Sequence, residues 1–279
     1  MRMKALLVAC TVLVASPALA DKKAAKPAAA ATPDLGQLIP PDGDPSGATF
    51  AFAGSGVYTG ATSQQMTKDL PGLHVVKNVA GAFSKNKKSY WASADVASGV
   101  AGGPQAVDGH ASAVWDKTDT GWKLVAFSIV PTATAKQQQD AKKKGAVAPA
   151  IKAMNGAGDE YFLTVFDKVF RENAAETVGA RNDAVLFGSA ANERYVGAGS
   201  IKKTLAGWDL ALTVHGDMAD GKTSGRLLWI AANIDARPQS KPKADPTPYR
   251  VFLIYEGDSD GNYELVHASF AAVTSGWPQ

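Results

Sequence analysis

Short apolar runs broken by glycine, proline and polar turns dominate this chain, and most alternate with the two-residue period of a strand. Residues 49–52, 73–79, 89–97, 110–115 and 122–130 read as a first group of strands, the last two joined as a hairpin across the polar stretch 116–121. A second group follows at 184–187, 208–214, 226–236, 249–255 and 263–272. Asp220-Gly221 and Asp258-Ser259-Asp260-Gly261 supply turn signals between its members. Helical periodicity is rarer. Residues 63–70 form a short helix with Met66 and Leu70 on one side, stopped by Pro71-Gly72. Residues 137–144 are polar and helix-favouring, and residues 200–205 form another short helix. The strongest helical stripe is Phe162, Phe166, Val169 and Phe170 within 159–173, where Asp159 and Glu160 complement the dipole of the first turn.

The two groups of strands carry one pattern twice. Tyr58-Thr59-Gly60-Ala61 is matched by Tyr195-Val196-Gly197-Ala198. Tyr90-Trp91-Ala92-Ser93-Ala94-Asp95-Val96 is matched by Leu228-Trp229-Ile230-Ala231-Ala232-Asn233-Ile234. The run from Gly121-Trp122 to Phe127-Ser128 is matched by Asn262-Tyr263 to Ala268-Ser269. Such a repeat predicts two related units in tandem. The predicted class is α+β: two units, each a mostly antiparallel sheet with helices on one face.

Both faces of the final hairpin are apolar. Alternation puts Val251, Leu253, Tyr255, Leu265 and Ser269 on one side and Phe252, Ile254, Val266, Ala268 and Phe270 on the other. Leu124 and Ala126 against Val125, Phe127 and Ile129 repeat this in the first unit. Helices cover one face of a sheet; the second face needs another partner. Packing the two units sheet to sheet, as an internal pseudo-dimer, satisfies both. No front helix precedes the first unit, so the linker helix is expected to fold back over its remaining apolar face.

The N-terminus reads as an export signal over residues 1–20: Arg2 and Lys4, an apolar stretch, then Ala18-Leu19-Ala20. Leu7-Val8-Ala9-Cys10 also resembles a lipobox, though its apolar stretch is short for one. Cys10 is the sole cysteine, so cleavage after Ala20 leaves no disulfide, thiol nucleophile or cysteine metal ligand. The expected location is periplasmic or secreted. Removing Arg2 and Lys4 also changes the charge: 27 bases then face 26 acids. Lys142-Lys143-Lys144 lies on a polar segment without interleaved aromatics, which gives nucleic acid no footprint. No later apolar run is long enough for a transmembrane helix. Residues 21–47, rich in Ala, Pro, Lys and Gly, read as a tether. The expected domains are then 48–131 and 157–274, with a helix-bearing linker at 132–156.

The second unit resembles a SnoaL-like domain of the nuclear transport factor 2-like superfamily. The segments that carry the likeness run from Ala184 through Gly188, Glu193-Arg194-Tyr195-Val196-Gly197 and Ile201 to Leu205, then from Trp229 to Ile234, and from Tyr249-Arg250-Val251 to His267. The first unit is a degenerate copy: it has no Glu-Arg pair before Tyr58, and Ala126 stands where His267 does. The resemblance implies that each unit is a cone-shaped α+β domain, with helices closing a curved sheet around a pocket. It also implies either cyclase, isomerase or dehydratase chemistry or simple binding and association.

Candidate chemistry centres on that implied cavity. His267 faces it by analogy with the family and is a candidate general base; a hydrogen-bonded core histidine is the plainer reading. Arg250 is a candidate anion clamp, with a surface ion pair as the simpler role. Asn233 and Asp95 occupy matched positions beside Trp229 and Trp91, and an acid next to an indole is expected to have a raised pKa. The candidate ligand-binding set is Tyr195, Trp229, Asn233, Arg250 and His267 in the second unit and Trp91, Asp95 and His110 in the first. Trp115 and Trp122 are expected to pair across their hairpin, as are Tyr255 and Tyr263. His74, His110, His215 and His267 lack the spacing of a metal pair. The Gly54-Ser55-Gly56 and Gly60 spacing lacks the long helix a dinucleotide loop requires, so no cofactor is expected. Asp258 to Glu264 is too short for a calcium loop. The leading expectation is therefore an exported protein that binds a small apolar or amphipathic ligand, or associates, without catalysis. A lyase, isomerase or cyclase using His267, Arg250 and Asn233 is the alternative.

Overall fold

Alternating apolar and small polar residues build two sheets in the computed structural model, which describes residues 38, 57–58, 74–97, 109–119, 121–143, 178–224, 226–259 and 263–272. The expected signal segment with Cys10, the strand at 49–52 and the helices at 63–70 and 159–173 lie outside the described residues, as does the tether apart from Leu38. The described architecture is mostly sheet with few helices, consistent with an α+β cone fold.

The first sheet holds β1 (Val57–Tyr58), β2 (His74–Phe83), β3 (Ser89–Ala97), β4 (Gly109–Thr118) and β5 (Gly121–Pro131), in the order β1-β5-β4-β3-β2. After α1 (Ala135–Lys143), the second sheet holds β6 (Val185–Phe187), β7 (Arg194–Val196), β8 (Leu210–Ser224), β9 (Leu227–Pro238), β10 (Thr247–Gly257) and β11 (Tyr263–Ala272), in the order β7-β6-β11-β10-β9-β8. The helix α2 (Ala198–Ala206) lies between β7 and β8. All pairings are antiparallel except that of β6 with β11.

Both final hairpins contain a bulge at the corresponding place. In the first, Val114 pairs with Ala126 and Trp115 with Leu124, which leaves Val125 as the extra residue. In the second, Ile254 pairs with His267 and Tyr255 with Leu265, which leaves Val266. A bulge resets the two-residue alternation beyond it. The simple parity expected from sequence therefore fails past this point. Ala268 and Phe270 join Val251, Leu253, Tyr255 and Leu265 on one face, while Val266 joins Phe252 and Ile254 on the other. The first strand of each group is also irregular, between Lys77 and Ala80 in β2 and between Val214 and Ala219 in β8. The second irregularity lets β8 run on through Asp220-Gly221, which pair with Ala231 and Ile230 rather than forming the expected turn. Ladder pairing with β9 overrides the local turn preference.

On one face of the second sheet, α2 contributes Ala198, Ile201 and Leu205 to the apolar cluster that holds Leu186, Ile234, Val251 and Phe270. Gly197 precedes the helix at φ 81°, a left-handed conformation that costs glycine little. The other face shares one apolar cluster with the first sheet: Trp91, Val114 and Ala126 with Phe187, Trp229, Phe252, Ile254 and Val266. At one edge of this contact, buried Glu256 accepts the backbone N–H of Lys85 at 2.6 Å and pairs with Arg181, which also grips Asp183.

Two expectations for the first sheet change. Thr134 and Gln137 cap α1 reciprocally: Gln137 Oε1 accepts the Thr134 N–H at 2.8 Å, and Thr134 Oγ1 accepts the Gln137 N–H at 3.2 Å. The helix is tied to Ser189 of the second sheet, by the Ala133 N–H to its carbonyl at 2.8 Å and Gln138 Nε2 to its hydroxyl at 3.1 Å. With Lys136, Gln137, Gln139 and Lys143 exposed, α1 itself lacks an apolar stripe wide enough to close a sheet, and the rest of the expected linker helix, to residue 154, lies outside the described residues. Leu38, from the segment read as a tether, is instead buried, and its carbonyl accepts Trp115 Nε1–H at 2.9 Å. Trp115 and Trp122 stand opposite Leu124 and Lys117, not each other, and Trp122 lies by Phe83 at 5.8 Å between ring centres. Tyr255 and Tyr263 are likewise diagonal, opposite Leu265 and Gly257.

Glu256 gives the sheet-to-sheet contact a direct test. Glu256→Ala removes the acceptor for Lys85 and one partner of Arg181. Urea unfolding is expected to show a loss of about 2–3 kcal/mol. An unchanged midpoint would mean that the edge contributes nothing to stability.

Candidate functional site

The sheet pairings bring most of the candidate residues into one buried seam between the sheets. On the first sheet, Ser93 stands opposite Ser112, and Ser112 opposite Ser128, forming a row of small hydroxyls across β3, β4 and β5. Asp95 and His110 form the next row, and Trp91, Val114 and Ala126 the row on the other side. All are buried. On the second sheet, His267, Ile254 and Trp229 form one row, and Arg250 shares the face of Phe252 and Ile254.

His267 enters the space above the serine row. Its ring stacks on Trp91 with centroids 5.6 Å apart and meets Phe187 edge-on at 5.7 Å. Nδ1 lies 3.0 Å from the Val185 carbonyl, which only accepts, so Nδ1 carries the proton. Nε2 is then the acceptor, and Ser112 Oγ–H donates to it at 2.6 Å. Both nitrogens of the neutral ring are thereby occupied. Burial pushes the His267 pKa from 6.5 to about 3; the Val185 carbonyl opposes the shift and nearby His110 reinforces it. The ring is wholly buried, has no access from solvent and is held in one tautomer.

Asp95 and His110 make the second polar contact of the seam. His110 Nδ1 lies 2.9 Å from Asp95 Oδ1 and donates to it, while Phe187 stacks on the imidazole at 4.2 Å. The β2 irregularity holds Asn78 at φ 57°, where asparagine is tolerated, and its amide donates to Asp95 Oδ2 at 2.5 Å. Burial alone raises the Asp95 pKa. The hydrogen bonds from His110 and Asn78, with the charges of His110 and Lys77, outweigh it and hold the carboxyl below its ordinary range. The expectation of a raised pKa beside Trp91 is thus reversed. Asn233 occupies the corresponding backbone position in the second sheet, opposite Arg250.

An open concavity lies on the other face of the second sheet. It is a cleft of about 130 Å³ whose walls include Trp208, Tyr249, Phe270, Ile234, Ala236 and Glu193. His267, Arg250, Trp229 and Tyr195 are not among its lining residues. Tyr195 packs against the same helix-bearing face elsewhere. Trp208 and Phe270 meet at right angles, with centroids 4.8 Å apart. Burial, aided by the charge of Glu193, raises the Tyr249 pKa. Trp208, Phe270 and Glu193 escape a reading of sequence because they lie on separate elements far apart in the chain. Phe270 lies within the last apolar strand and Trp208 begins another, and neither position by itself marks a cleft. Among the described residues, no three His, Cys, Asp or Glu side chains are grouped to hold a metal, and no helix is long and apolar enough to cross a membrane.

Neutral His267 makes stability depend on pH. Its folded pKa lies below its unfolded value, so its contribution is fully present above about 6.5 and is lost as pH falls toward about 3. Between those values it removes about 1.4 kcal/mol per pH unit. His267→Gln is expected to flatten this limb in a series of urea titrations, leaving the slope of the carboxylates. An identical pH dependence in wild type and variant would show that the ring is hydrated.

No family model matches the chain, and no curated protein matches it. Solved structures do. Nuclear transport factor 2 from Cryptosporidium parvum aligns at 10% identity over 41% of this chain and 90% of its own, with a TM-score of 0.32. An NTF2-like protein from Cytophaga hutchinsonii aligns at 15% identity over 41% and 97%, with a TM-score of 0.32. A ketosteroid isomerase-like protein from Erwinia carotovora atroseptica aligns at 15% identity over 40% and 88%, with a TM-score of 0.30. The chain thus resembles NTF2-like and ketosteroid isomerase-like proteins over part of its length.

Proposed function

We propose that this protein is an exported, non-catalytic ligand-binding module. It is built from two tandem SnoaL-like units, 48–131 and 157–274, packed as an internal pseudo-dimer, with residues 1–20 removed on export. Three features support the duplication. The last four strands of each sheet follow one order, bulges fall at Val125 and Val266, and one apolar cluster joins the two sheets. The second unit offers a small apolar or amphipathic ligand the cleft on its helix-bearing face, while its other face is closed by the first unit.

The observation that carries this reading is the separation of the two faces. The polar groups suited to acid–base work, His267 and the Asp95–His110 pair, are buried in the seam with partners of their own. The open cleft on the opposite face is mainly aromatic and aliphatic. A lyase, isomerase or cyclase would need His267 and a second polar group to converge on a space that substrate can enter. Binding needs only the cleft.

Native mass spectrometry of protein purified from its host is expected to reveal a non-covalent adduct. Ala236→Phe, which fills the cleft, should abolish it. His267→Ala should lower stability and leave the adduct in place. Loss of the adduct in His267→Ala with the fold retained, or its persistence in Ala236→Phe, would overturn the assignment.

A further inference from the structure

We infer that the cleft accepts the ammonium group of an organic cation, such as an alkylated amine. The inference rests on the cleft being the binding site and specifies what enters it.

Two properties of the walls select this chemistry. The first is aromatic. Trp208 and Phe270 present mutually perpendicular rings, and Tyr249 adds a third. The negative ring faces attract a cation within about 6 Å, and most strongly when it is partly desolvated. The second is charge. Glu193 lines the cleft, and among the described residues no basic side chain does. Its carboxylate is held in place: Oε2 accepts the Ala190 N–H at 2.9 Å, and Gly188 leaves the space it occupies. A Cβ at Gly188 would come within 2.4 Å of that oxygen. The charge is felt inside the cleft, because Glu193 helps to raise the Tyr249 pKa. An anionic ligand would meet the same charge and be repelled. A neutral apolar ligand would use the rings but draw nothing from the negative charge at the wall.

Size narrows the class further. At about 130 Å³ the cleft is well below the few hundred Å³ that enclose a drug-sized molecule. It suits a compact head group, with the rest of the molecule left outside.

The test compares matched probes on the full chain by titration calorimetry: choline, benzyltrimethylammonium, and the neutral isostere 3,3-dimethylbutan-1-ol. The cations are expected to bind about tenfold more tightly than the neutral isostere. Glu193→Gln should erase that preference without changing the unfolding midpoint, and Tyr249→Phe should leave it. Equal binding of choline and its isostere in the wild type would overturn the cation assignment, and needs no variant. If Ala236→Phe still abolished the host-derived adduct, the cleft would stand as the binding site and only the ligand class would fall. If no probe bound and Ala236→Phe left the adduct in place, both would fall.

Discussion

Two sheets that are apolar on both sides must hide the faces their helices leave open. Burying Trp91, Phe187, Trp229, Phe252 and Ile254 between the sheets removes large apolar surfaces from water. Each such side chain contributes about 1.5–3 kcal/mol. No described helix is placed to do this instead, since α2 serves the opposite face and α1 is polar. The other features of the molecule follow from this burial. It determines which side chains lack solvent and which face remains for a cleft.

Polar residues in such a seam add little stability but restrict geometry. Ser112 and His267 form one donor–acceptor pair, and the other nitrogen of His267 is taken by the Val185 carbonyl. Sliding one sheet on the other would strip partners from groups with no access to water. The serine row adds a steric condition, because small side chains leave room for the opposing imidazole and phenyl rings. His267 thus acts as a peg between the sheets. The first unit has Ala126 at the matching position, so the peg exists on one side only.

This arrangement divides the second unit. Its face toward the first sheet is structural and closed. Its helix-bearing face is concave and lined by rings from β10, β11 and the segment before β8, with a carboxylate from the turn before β7. The proposed binding role follows from this division: the first sheet covers one face, and the cleft lies on the other.

Much of the fold was legible along the chain. The strands are recognisable from alternation, because period-two burial is written locally. Two apolar faces were evident for the same reason, and they imply a partner surface. The bulges at Val125 and Val266 were not legible, since an extra residue in one strand depends on the strand beside it. They moved Ala268 and Phe270 to the helix-bearing face and turned His267 toward the other sheet. The sequence by itself therefore determined which segments are strands and that they need mutual cover. Only the tertiary structure decided that Asp95, His110 and His267 are buried in that cover while Glu193, Trp208, Tyr249 and Phe270 meet around an opening, because such convergence depends on register and packing between segments remote in the chain.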